Sequence, residues 1–447
     1  MIHAFLCGSG IKKLDSVEVG DMDGARVLLV ATTVGYQIRS FGEAAAKLGV
    51  RLVFASDRCD RLEDPWWDGA IPVKFHDEAR SVADVVAALR NAPPGGVVAV
   101  GDRPALLAAH LARAFGVPGH SPEAAATSRN KLLTRQALKA AGLPVPWFEC
   151  LSVDDAVDGV AGRIPYPAVV KPLALSGSRG VMRVDNADEY VAAHDRLRTL
   201  MQSPDVRVER DEAHGQLLVE SFIPGAEYAV EGVLNRGVFQ WLAICDKPEP
   251  LDGPFFEETI YRMPSTATSL AQQRILAAVE AATVAVGLYH GPVHAECRIN
   301  DAGVFVLEVA ARPIGGLCSR ALRFRRYGAG ASDHLSLEEL LLRHALGEDV
   351  STCRRETRAS GVMMIPIPRR GIYRRVDGVE AARAVTGITD VRITAKLDAL
   401  IVPLPEGKSY LGFIFANATE PLAVDRALRE AHACLHFAVD REVAIAR

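Results

Sequence analysis

The segment between residues 25 and 101 alternates short apolar runs with amphipathic stretches. ARVLLVATT (25–33) and RLVFASD (51–57) are apolar runs of strand length, and YQIRSFGEAAAKLGV (36–50) has a helical period that ends at Gly49. VADVVAALRNAPPGGVVAVGD then repeats the order of helix, loop and strand. Because a helix between two strands returns the chain to the same end of the sheet, this alternation is typical of parallel sheets. We therefore expect a parallel α/β sheet here.

Several classes of protein are disfavoured by composition and by missing motifs. The first strand continues into Thr32-Thr33-Val34-Gly35 rather than G-x-G-x-x-G, which argues against a dehydrogenase. The net charge of −4 argues against nucleic-acid binding. No apolar run approaches the roughly 18 residues of a membrane helix, and the N-terminus shows no secretory leader. The eight cysteines are scattered and indicate reduced thiols, so we expect a cytoplasmic protein.

A later hairpin places two glutamates opposite each other. VHAECRIN and GVFVLEVAARPIGG flank an Asn-Asp-Ala-Gly turn, and Glu296 and Glu308 are nearly symmetric about it. Period-two alternation predicts one face with Phe305, Leu307 and Val309, and another with Val306 and Glu308. Two facing carboxylates repel each other unless a cation lies between them, so the pair predicts a Mg²⁺ site.

A small-residue loop after a buried strand is the best candidate for binding phosphates. Lys171 ends the strand of VVKPLALSGSRGV, and the loop Ser176-Gly177-Ser178-Arg179-Gly180 can turn backbone N–H groups toward an anion. Gly407-Lys408-Ser409 is not a P-loop, because the glycine required five residues earlier is Val402. Lys131 adds a second cation at the start of a helix, while Glu220 and Glu227 follow in VESFIPGAEY. Together with the hairpin, these residues predict a site for Mg²⁺ and a nucleoside triphosphate.

In this order the motifs resemble the ATP-grasp superfamily, and within it the carboxylate–amine ligases of the L-amino-acid ligase branch. The resemblance covers roughly residues 25 to 447 and includes RNK, VVKP, VESFIPGAEYAVEG, DKPEPLDGPFFEETIY, HAECRI and EVAARPIGG. It implies an α/β and α+β multidomain fold with ATP held between two lobes. The expected divisions are an N-terminal extension (1–24), a pre-ATP-grasp α/β domain (25–120), a small lobe (121–220), a large lobe with the Mg²⁺ site (221–348) and a C-terminal α+β domain (349–447).

The resemblance also implies a role for each motif residue. Lys131 and Lys171 would contact the α- and β-phosphates, and the loop with Ser176, Gly177, Ser178 and Gly180 would close over the β/γ end. Glu220 would meet the adenine amino group, Phe222 and Ile223 the ring, and Glu227 the ribose. Glu296 and Glu308 would bind Mg²⁺, with Mn²⁺ as an alternative, and Arg312 would stabilise an acyl-phosphate. Lys171, Glu308 and Arg312 are thus the expected catalytic residues.

The implied reaction activates a carboxylate, plausibly that of an amino acid, as an acyl-phosphate and joins it to an amine, with release of ADP and phosphate. Purine-biosynthetic or biotin-carboxylase-like chemistry is one alternative, although no AMKM biotin-attachment sequence is present. A nucleotide-binding regulatory protein is another, and Ala310, where many relatives have a metal-binding Asn, mildly favours it. His294, Lys247, Glu257 and Glu258 have no assigned role. The resemblance further implies a homodimer.

Overall fold

The N-terminal part of the fold is a parallel sheet. A computed structural model describes residues 24–33, 36–57, 69–327 and 334–442, so the predicted extension at 1–24 lies almost wholly outside the described residues. The sheet has the order β3-β2-β1-β4, and every pairing in it is parallel. Its strands are β1 (Arg26–Ala31), β2 (Arg51–Ser56), β3 (Ile71–Pro72) and β4 (Gly96–Val100), with helices α1 (Ile38–Leu48), α2 (Glu78–Ala88) and α3 (Asp102–Phe115). This confirms the parallel sheet that the alternation predicted.

Two short helices connect this sheet to a smaller antiparallel one. They are α4 (Pro122–Arg129) and α5 (Lys131–Ala140), and the side chain of Asn130 caps α5 by accepting the amides of Leu132 and Leu133. The antiparallel sheet has the order β5-β8-β6-β7. Its elements are β5 (Phe148–Ser152), α6 (Asp158–Ala161), β6 (Ala168–Pro172), β7 (Met182–Val184), α7 (Ala187–Met201), α8 (Pro204–Arg207), a 3-10 turn (Glu212–Gly215) and β8 (Gln216–Ser221).

An eight-stranded antiparallel sheet forms the centre of the molecule, in the order β13-β12-β9-β10-β11-β17-β21-β19. Its first five strands are β9 (Ala226–Asn235), β10 (Val238–Lys247), β11 (Ile260–Met263), β12 (Gly291–Asn300) and β13 (Gly303–Ala310), with α9 (Ser269–Val286) between β11 and β12. The other three are β17 (Ala359–Ile365), β19 (Ile388–Ile393) and β21 (Gly412–Ala418), followed by α12 (Pro421–Ala433). The C-terminal segment therefore adds strands to the central sheet, and the expected boundary at residue 349 is not a break in its hydrogen bonding.

Two three-stranded sheets complete the described chain. One contains β14 (Arg323–Arg326), β15 (His334–Ser336) and β16 (Cys353–Arg355), together with a 3-10 turn (Cys318–Ala321) and α10 (Leu337–Ala345). The other contains β18 (Gly371–Asp377), β20 (Leu400–Ile401) and β22 (His436–Asp440), with α11 (Val379–Ala384). Within the described ranges, no helix combines the length and the apolar character that crossing a membrane requires. All six cysteines of these ranges are free thiols.

The glutamate hairpin is formed by β12 and β13, and part of its predicted pattern is wrong. Glu296 pairs directly with Glu308 across the strands, as predicted. A β-bulge follows, however, so that Cys297 pairs with Val306 and Leu307 is the extra residue. The bulge shifts the alternation by one position. Val306 therefore joins Val309 in the hydrophobic core, whereas Leu307 lies beside Glu308 in a cavity wall.

Candidate active site

A cavity of about 440 Å³ lies where the three main sheets meet. Residues from the carboxyl ends of β1 and β4, from the β6–β7 loop, from the central sheet and from the segment after β20 all line it. Every expected site residue except Gly180 is among the lining residues: Lys131, Lys171, Ser176, Gly177, Ser178, Glu220, Phe222, Ile223, Glu227, Glu296, Glu308 and Arg312. Motifs that are separated by up to 181 positions in sequence thus share one cavity.

Lys171 and Glu220 form a buried ion pair at one end of the cavity. β6 and β8 are neighbours, and the Lys171 ammonium donates to Glu220 Oε1. Arg135 on α5 holds the same carboxylate through Nε to Oε2 at 2.9 Å and Nη2 to Oε1 at 3.3 Å. Burial lowers the pKa of Lys171 to about 8 despite Glu220, and Arg135 and Lys171 together outweigh burial to lower the pKa of Glu220 to about 2. Glu220, the carboxylate that we expected to contact the adenine amino group, is therefore already paired with two cations.

The small-residue loop lies directly beside these cations. Gly177, Ser178 and Gly180 have φ values of 64°, 56° and 74°, a backbone conformation that residues other than glycine rarely adopt. Lys131 Nζ donates to the carbonyl oxygen of Leu175 at 2.6 Å, which links the start of α5 to the loop. Although Gly180 does not line the cavity, its N–H donates to the carbonyl of Pro405 at 2.8 Å and so joins the loop to the C-terminal segment.

Three carboxylates surround the ammonium group of Lys247. Lys247 Nζ lies 2.8 Å from Glu227 Oε1, 2.8 Å from Glu258 Oε1 and 2.9 Å from Glu296 Oε1. Burial alone would lower the pKa of Lys247, but the three carboxylates raise it well above the usual value. Burial and the neighbouring Glu296 raise the pKa of Glu258 to about 7. Lys247 thus ties the three carboxylates together, while Arg298 also contacts Glu227 and His294 also contacts Glu296, so that all four side chains are fixed in place.

The same three glutamates have the chemistry of a divalent-cation site. Ligand oxygens of Glu227, Glu258 and Glu296 all lie within 4.8 Å of one another, and Mg²⁺ prefers such hard oxygen donors. Glu308 faces Glu296 from the next strand and lines the cavity, but it does not belong to this close group. The donor set thus fits a divalent cation, with Glu258 as a carboxylate that the sequence reasoning left unassigned.

Arg312 is held in place by Asp102, the first residue of α3 in the N-terminal part of the fold. Its Nε lies 2.8 Å from Asp102 Oδ1 and its Nη2 3.3 Å from Asp102 Oδ2, while Glu308 Oε1 lies 3.5 Å from Nη2. Asp102 begins α3, where the first-turn N–H groups also favour a carboxylate. Burial would raise the pKa of Asp102, but Arg312 lowers it below the usual value. This planar two-point contact fixes the direction of the guanidinium group.

His294 supplies a further buried cation next to Glu296. It pairs across the strands with Ala310, its Nδ1 contacts Glu231, and its Nε2 lies 3.3 Å from Glu296 Oε1. Burial alone would lower the pKa of His294, but Glu231 and Glu296 raise it to about 10. The imidazolium therefore lies opposite Ala310, the position where the resemblance led us to look for an Asn.

An aromatic slot borders the other side of the charged residues. The rings of Phe222 and Phe256 lie 6.4 Å apart at 27°, and the Arg298 guanidinium carbon lies 5.2 Å and 5.7 Å from their centroids. Arg298 also donates to Glu227 Oε2 at 2.8 Å and to the carbonyl of Ile223 at 2.7 Å. A flat, partly apolar ring can pack against the exposed side of such a surface.

Sequence reasoning missed several of the residues that organise this cavity. Arg135 lies one helical turn after Lys131, and Arg298 lies two residues after Glu296 on the same strand, so both had a local signal. Asp102 and Glu231 had none, because each meets its partner only through the tertiary fold.

Comparisons with known proteins agree with this architecture. Three family models match the chain: the ATP-grasp N-terminal domain at residues 42–119, the ATP-grasp domain at 164–321 and the L-amino acid ligase C-terminal domain 2 at 363–440. The crystal structure of L-amino acid ligase from Bacillus licheniformis superposes with a TM-score of 0.78 at 25% identity, covering 94% of this chain and 99% of that one.

Curated relatives match over shorter parts of their own length. The uncharacterized protein y4rH of Sinorhizobium fredii is 28% identical over 72% of this chain and 63% of its own length. Carnosine synthase 1 of Gallus gallus is 27% identical over 69% of this chain and 34% of its own length. The chain therefore spans less than two thirds of either relative.

Fold and family matches together show an ATP-grasp architecture. Its C-terminal segment at 363–440 matches the C-terminal domain 2 of L-amino acid ligases, and the chain as a whole is similar in structure to an L-amino acid ligase.

Proposed function

We propose that the chain is an ATP-dependent ligase that activates a carboxylate as an acyl-phosphate and joins it to an amine, releasing ADP and phosphate. One observation supports this most directly. The two lysines, the small-residue loop, the cluster of carboxylates and Arg312 all line one cavity of about 440 Å³. The similarity to an L-amino acid ligase and to carnosine synthase 1 favours this class of reaction over other ATP-grasp chemistries.

The nucleotide end of the proposed site would bind ATP through its charges. Lys131 and Lys171 would hold the α- and β-phosphates, and the loop from Ser176 to Gly180 would cover the β/γ end. The adenine ring would lie in the slot of Phe222 and Phe256, with Glu227 and Arg298 at the ribose side. Because Glu220 is held by Arg135 and Lys171, its main role would be to fix Lys171 rather than to contact the adenine directly.

The carboxylates would hold a divalent cation, Mg²⁺ or alternatively Mn²⁺, through Glu296 and Glu308 with Glu258 within reach. The bound cation would neutralise negative charge on the phosphates during transfer. Lys247 and His294 would offset the repulsion between these carboxylates, since each supplies a positive charge next to Glu296.

The proposed reaction has two steps. A carboxylate oxygen of the substrate attacks the γ-phosphorus, the bond to the β,γ-bridging oxygen breaks, and ADP leaves. The amine nitrogen then attacks the acyl carbon, loses a proton and expels phosphate. Arg312, fixed by Asp102, would stabilise the charge on the acyl-phosphate, and the loop would exclude water that could otherwise hydrolyse it.

ADP release tests this proposal. The chain would be incubated with Mg²⁺ and ATP over pairs of amino acids, small carboxylates and amines, and the condensation product would be identified by mass. We expect release that requires both substrates and is lost in Glu308→Gln, whereas Glu280→Gln, on the exposed face of α9, retains it. ADP release with a biotinyl acceptor and bicarbonate, or ATP binding without turnover for any pair, would contradict the proposal.

A further inference from the structure

The order of strands in the central sheet arranges the cavity wall along one axis. Glu308 on β13, Glu296 on β12 and Glu227 on β9 line the cavity from three neighbouring strands. Lys247 on the next strand, β10, contacts Glu227 and Glu296 without lining the cavity itself. We call these residues, together with Lys171, Asp102 and Arg312 of the same cavity, the charged half. The next strands in order are β11, β17 and β21, and they contribute Tyr261, Met364 and Phe413 to the same cavity. The wall thus changes from charged to apolar between β9 and β11, on either side of β10.

The apolar residues continue beyond the sheet and form a compartment. Met364 and Phe413 pair directly across β17 and β21. Tyr36 meets the Phe413 ring edge-on at 5.5 Å between centroids, and Tyr410 approaches the same ring at 6.3 Å. Ile314 belongs to the same hydrophobic cluster and also lines the cavity. These five residues, Tyr36, Ile314, Met364, Tyr410 and Phe413, are the apolar compartment.

This compartment is separate from the aromatic slot. Phe222 and Phe256 pack with Val169 and Leu251 in a small cluster of their own, which shares no member with the cluster of the apolar compartment. The cavity therefore has two apolar walls with charged residues between them. Of these walls, the aromatic slot would be occupied by the adenine ring.

The position of Arg312 indicates which part of a substrate the apolar compartment would receive. Ile314 lies two residues after Arg312, and Gln37 Nε2 donates to the Ile314 carbonyl, which fixes that stretch against the N-terminal part of the chain. A carboxylate held at Arg312 would thus have its nearest substituent beside Ile314 and the aromatic rings. The five side chains of the compartment carry no charge, and the charged residues near Tyr410 in the cavity wall are already paired: Lys408 with Asp205 at 3.0 Å and Glu258 with Lys247 at 2.8 Å.

We infer that the activated carboxylate belongs to an amino acid with a medium or large apolar side chain, which the apolar compartment receives. This inference rests on the proposed function and adds the substrate class. Burial of such a side chain removes apolar surface from water, whereas a charged or strongly polar side chain would lose its hydration without gaining a partner.

Substrate preference measures this directly. With a fixed amine, ADP release would be compared for leucine, methionine, phenylalanine, serine, aspartate and lysine as the carboxylate donor. We expect kcat/KM for the best apolar donor to exceed that for serine by roughly tenfold to a hundredfold, with the charged donors lower still. Equal use of all donors, or preference for a charged one, would overturn the inference while leaving the ligase proposal intact.

A substitution at the edge of the compartment sharpens the test. Tyr36 is 38% exposed, so Tyr36→Ala should fold normally and reduce the preference for apolar donors by about tenfold, with Tyr36→Phe restoring it. Tyr327→Ala, at an 87% exposed tyrosine that does not line the cavity, is the matched control. An unchanged preference in Tyr36→Ala would contradict the assignment of the compartment.

Binding separates failure of this inference from failure of the proposed function. Titration calorimetry of leucine, phenylalanine, serine and aspartate, with a non-hydrolysable ATP analogue and Mg²⁺ present, requires no turnover. Saturable binding of the apolar amino acids alone would support the compartment even if no amine partner were found. If none of the apolar amino acids binds, the inference is wrong whatever the ADP assay gives.

Discussion

The two halves of the cavity wall are held in place by different forces. In the charged half, Lys247 contacts three carboxylates and Arg312 contacts Asp102, so each side chain is fixed by pairing at 2.8–3.3 Å. In the apolar compartment, rings and aliphatic groups are fixed by packing, as in any protein core. Buried pairs lose much when one partner is removed, whereas packing tolerates changes of shape. We therefore expect chemistry to depend on the charged half and selectivity on the apolar one.

Removal of Lys171 should have the largest effect on activity. In Lys171→Met the carboxylate of Glu220 keeps its two contacts to Arg135, so the fold should persist while the cation that we propose binds phosphate is lost. We expect kcat/KM to fall by about 10²–10³-fold, as for other preorganised electrostatic groups. Steady-state ADP release with a thermal melt checks this, and Lys139→Met, on the exposed part of α5, serves as control. A loss below threefold would mean that the charged half does not bind phosphate.

Buried histidines extend the comparison beyond the cavity. His294 has Glu231 as a partner, and its pKa is raised to about 10. His290 and His344 instead stack on each other at 4.2 Å, with His120 nearby. Burial lowers the pKa of His120 to about 4 and that of His344 to about 3, and it also lowers the pKa of His290. These imidazoles are therefore neutral in the folded state. Below the pKa of an unfolded histidine, each would gain a proton on unfolding, and this proton uptake favours the unfolded state.

The sign of the pH dependence follows from these directions. Above the unfolded pKa of about 6.5, these histidines are neutral in both the folded and the unfolded state, and their titration costs no stability. As the pH falls below about 6.5, the unfolded state gains protons first and stability is lost until the folded pKa values are reached. For His120 the interval from about 6.5 to about 4 corresponds to a free energy on the order of 3 kcal/mol.

Denaturant unfolding between pH 7 and pH 4 measures this loss. His344→Phe keeps an aromatic ring against His290 and removes one titrating group, so it should flatten the decline of stability. His76→Asn, at an exposed histidine, should leave the slope unchanged. Parallel slopes for His344→Phe and the unchanged chain would show that the stack does not titrate as described.

Asp102→Asn should separate positioning from binding within the charged half. The amide can still accept one hydrogen bond from Arg312, but it lacks the charge and the second acceptor oxygen. We expect kcat to fall by roughly tenfold with little change in the KM for ATP, and Asp102→Glu to recover part of the loss. Asp84→Asn, on an exposed face of α2, is the matched control. A change in KM alone would assign Asp102 to nucleotide binding instead.

Local motifs predicted part of the charged half and none of the apolar compartment. Glu296 and Glu308 lie on one hairpin, so strand alternation and turn residues were enough to predict that they face each other. Lys171 lies at the end of β6, shortly before the small-residue loop, which made it a candidate in the same way. Tyr36, Met364, Tyr410 and Phe413 come from opposite ends of the chain and meet through the sheet order, for which the sequence has no local signal. The β-bulge at Leu307 was missed for a related reason, because one inserted residue leaves the apolar composition of the strand unchanged.

Segment 403–409 offers the mildest test, because it holds the small-residue loop mainly through backbone contacts. Glu406 makes a two-point contact with Arg196 at 2.9 Å and 3.0 Å, but the two side chains are 38% and 45% exposed. Exposed pairs of this kind contribute at most about 1 kcal/mol, and the hydrogen bond from Gly180 to Pro405 remains without them.

Glu406→Gln should accordingly change stability by less than about 1 kcal/mol and the rate of ADP release by less than about threefold. Thermal melts and steady-state kinetics check both values, with Glu380→Gln on α11 as an exposed control whose Arg383 contact lies away from the loop. A tenfold loss of rate without loss of stability would mean that a charge outside the cavity holds the loop in place. The charged half would then have to include segment 403–409 as well.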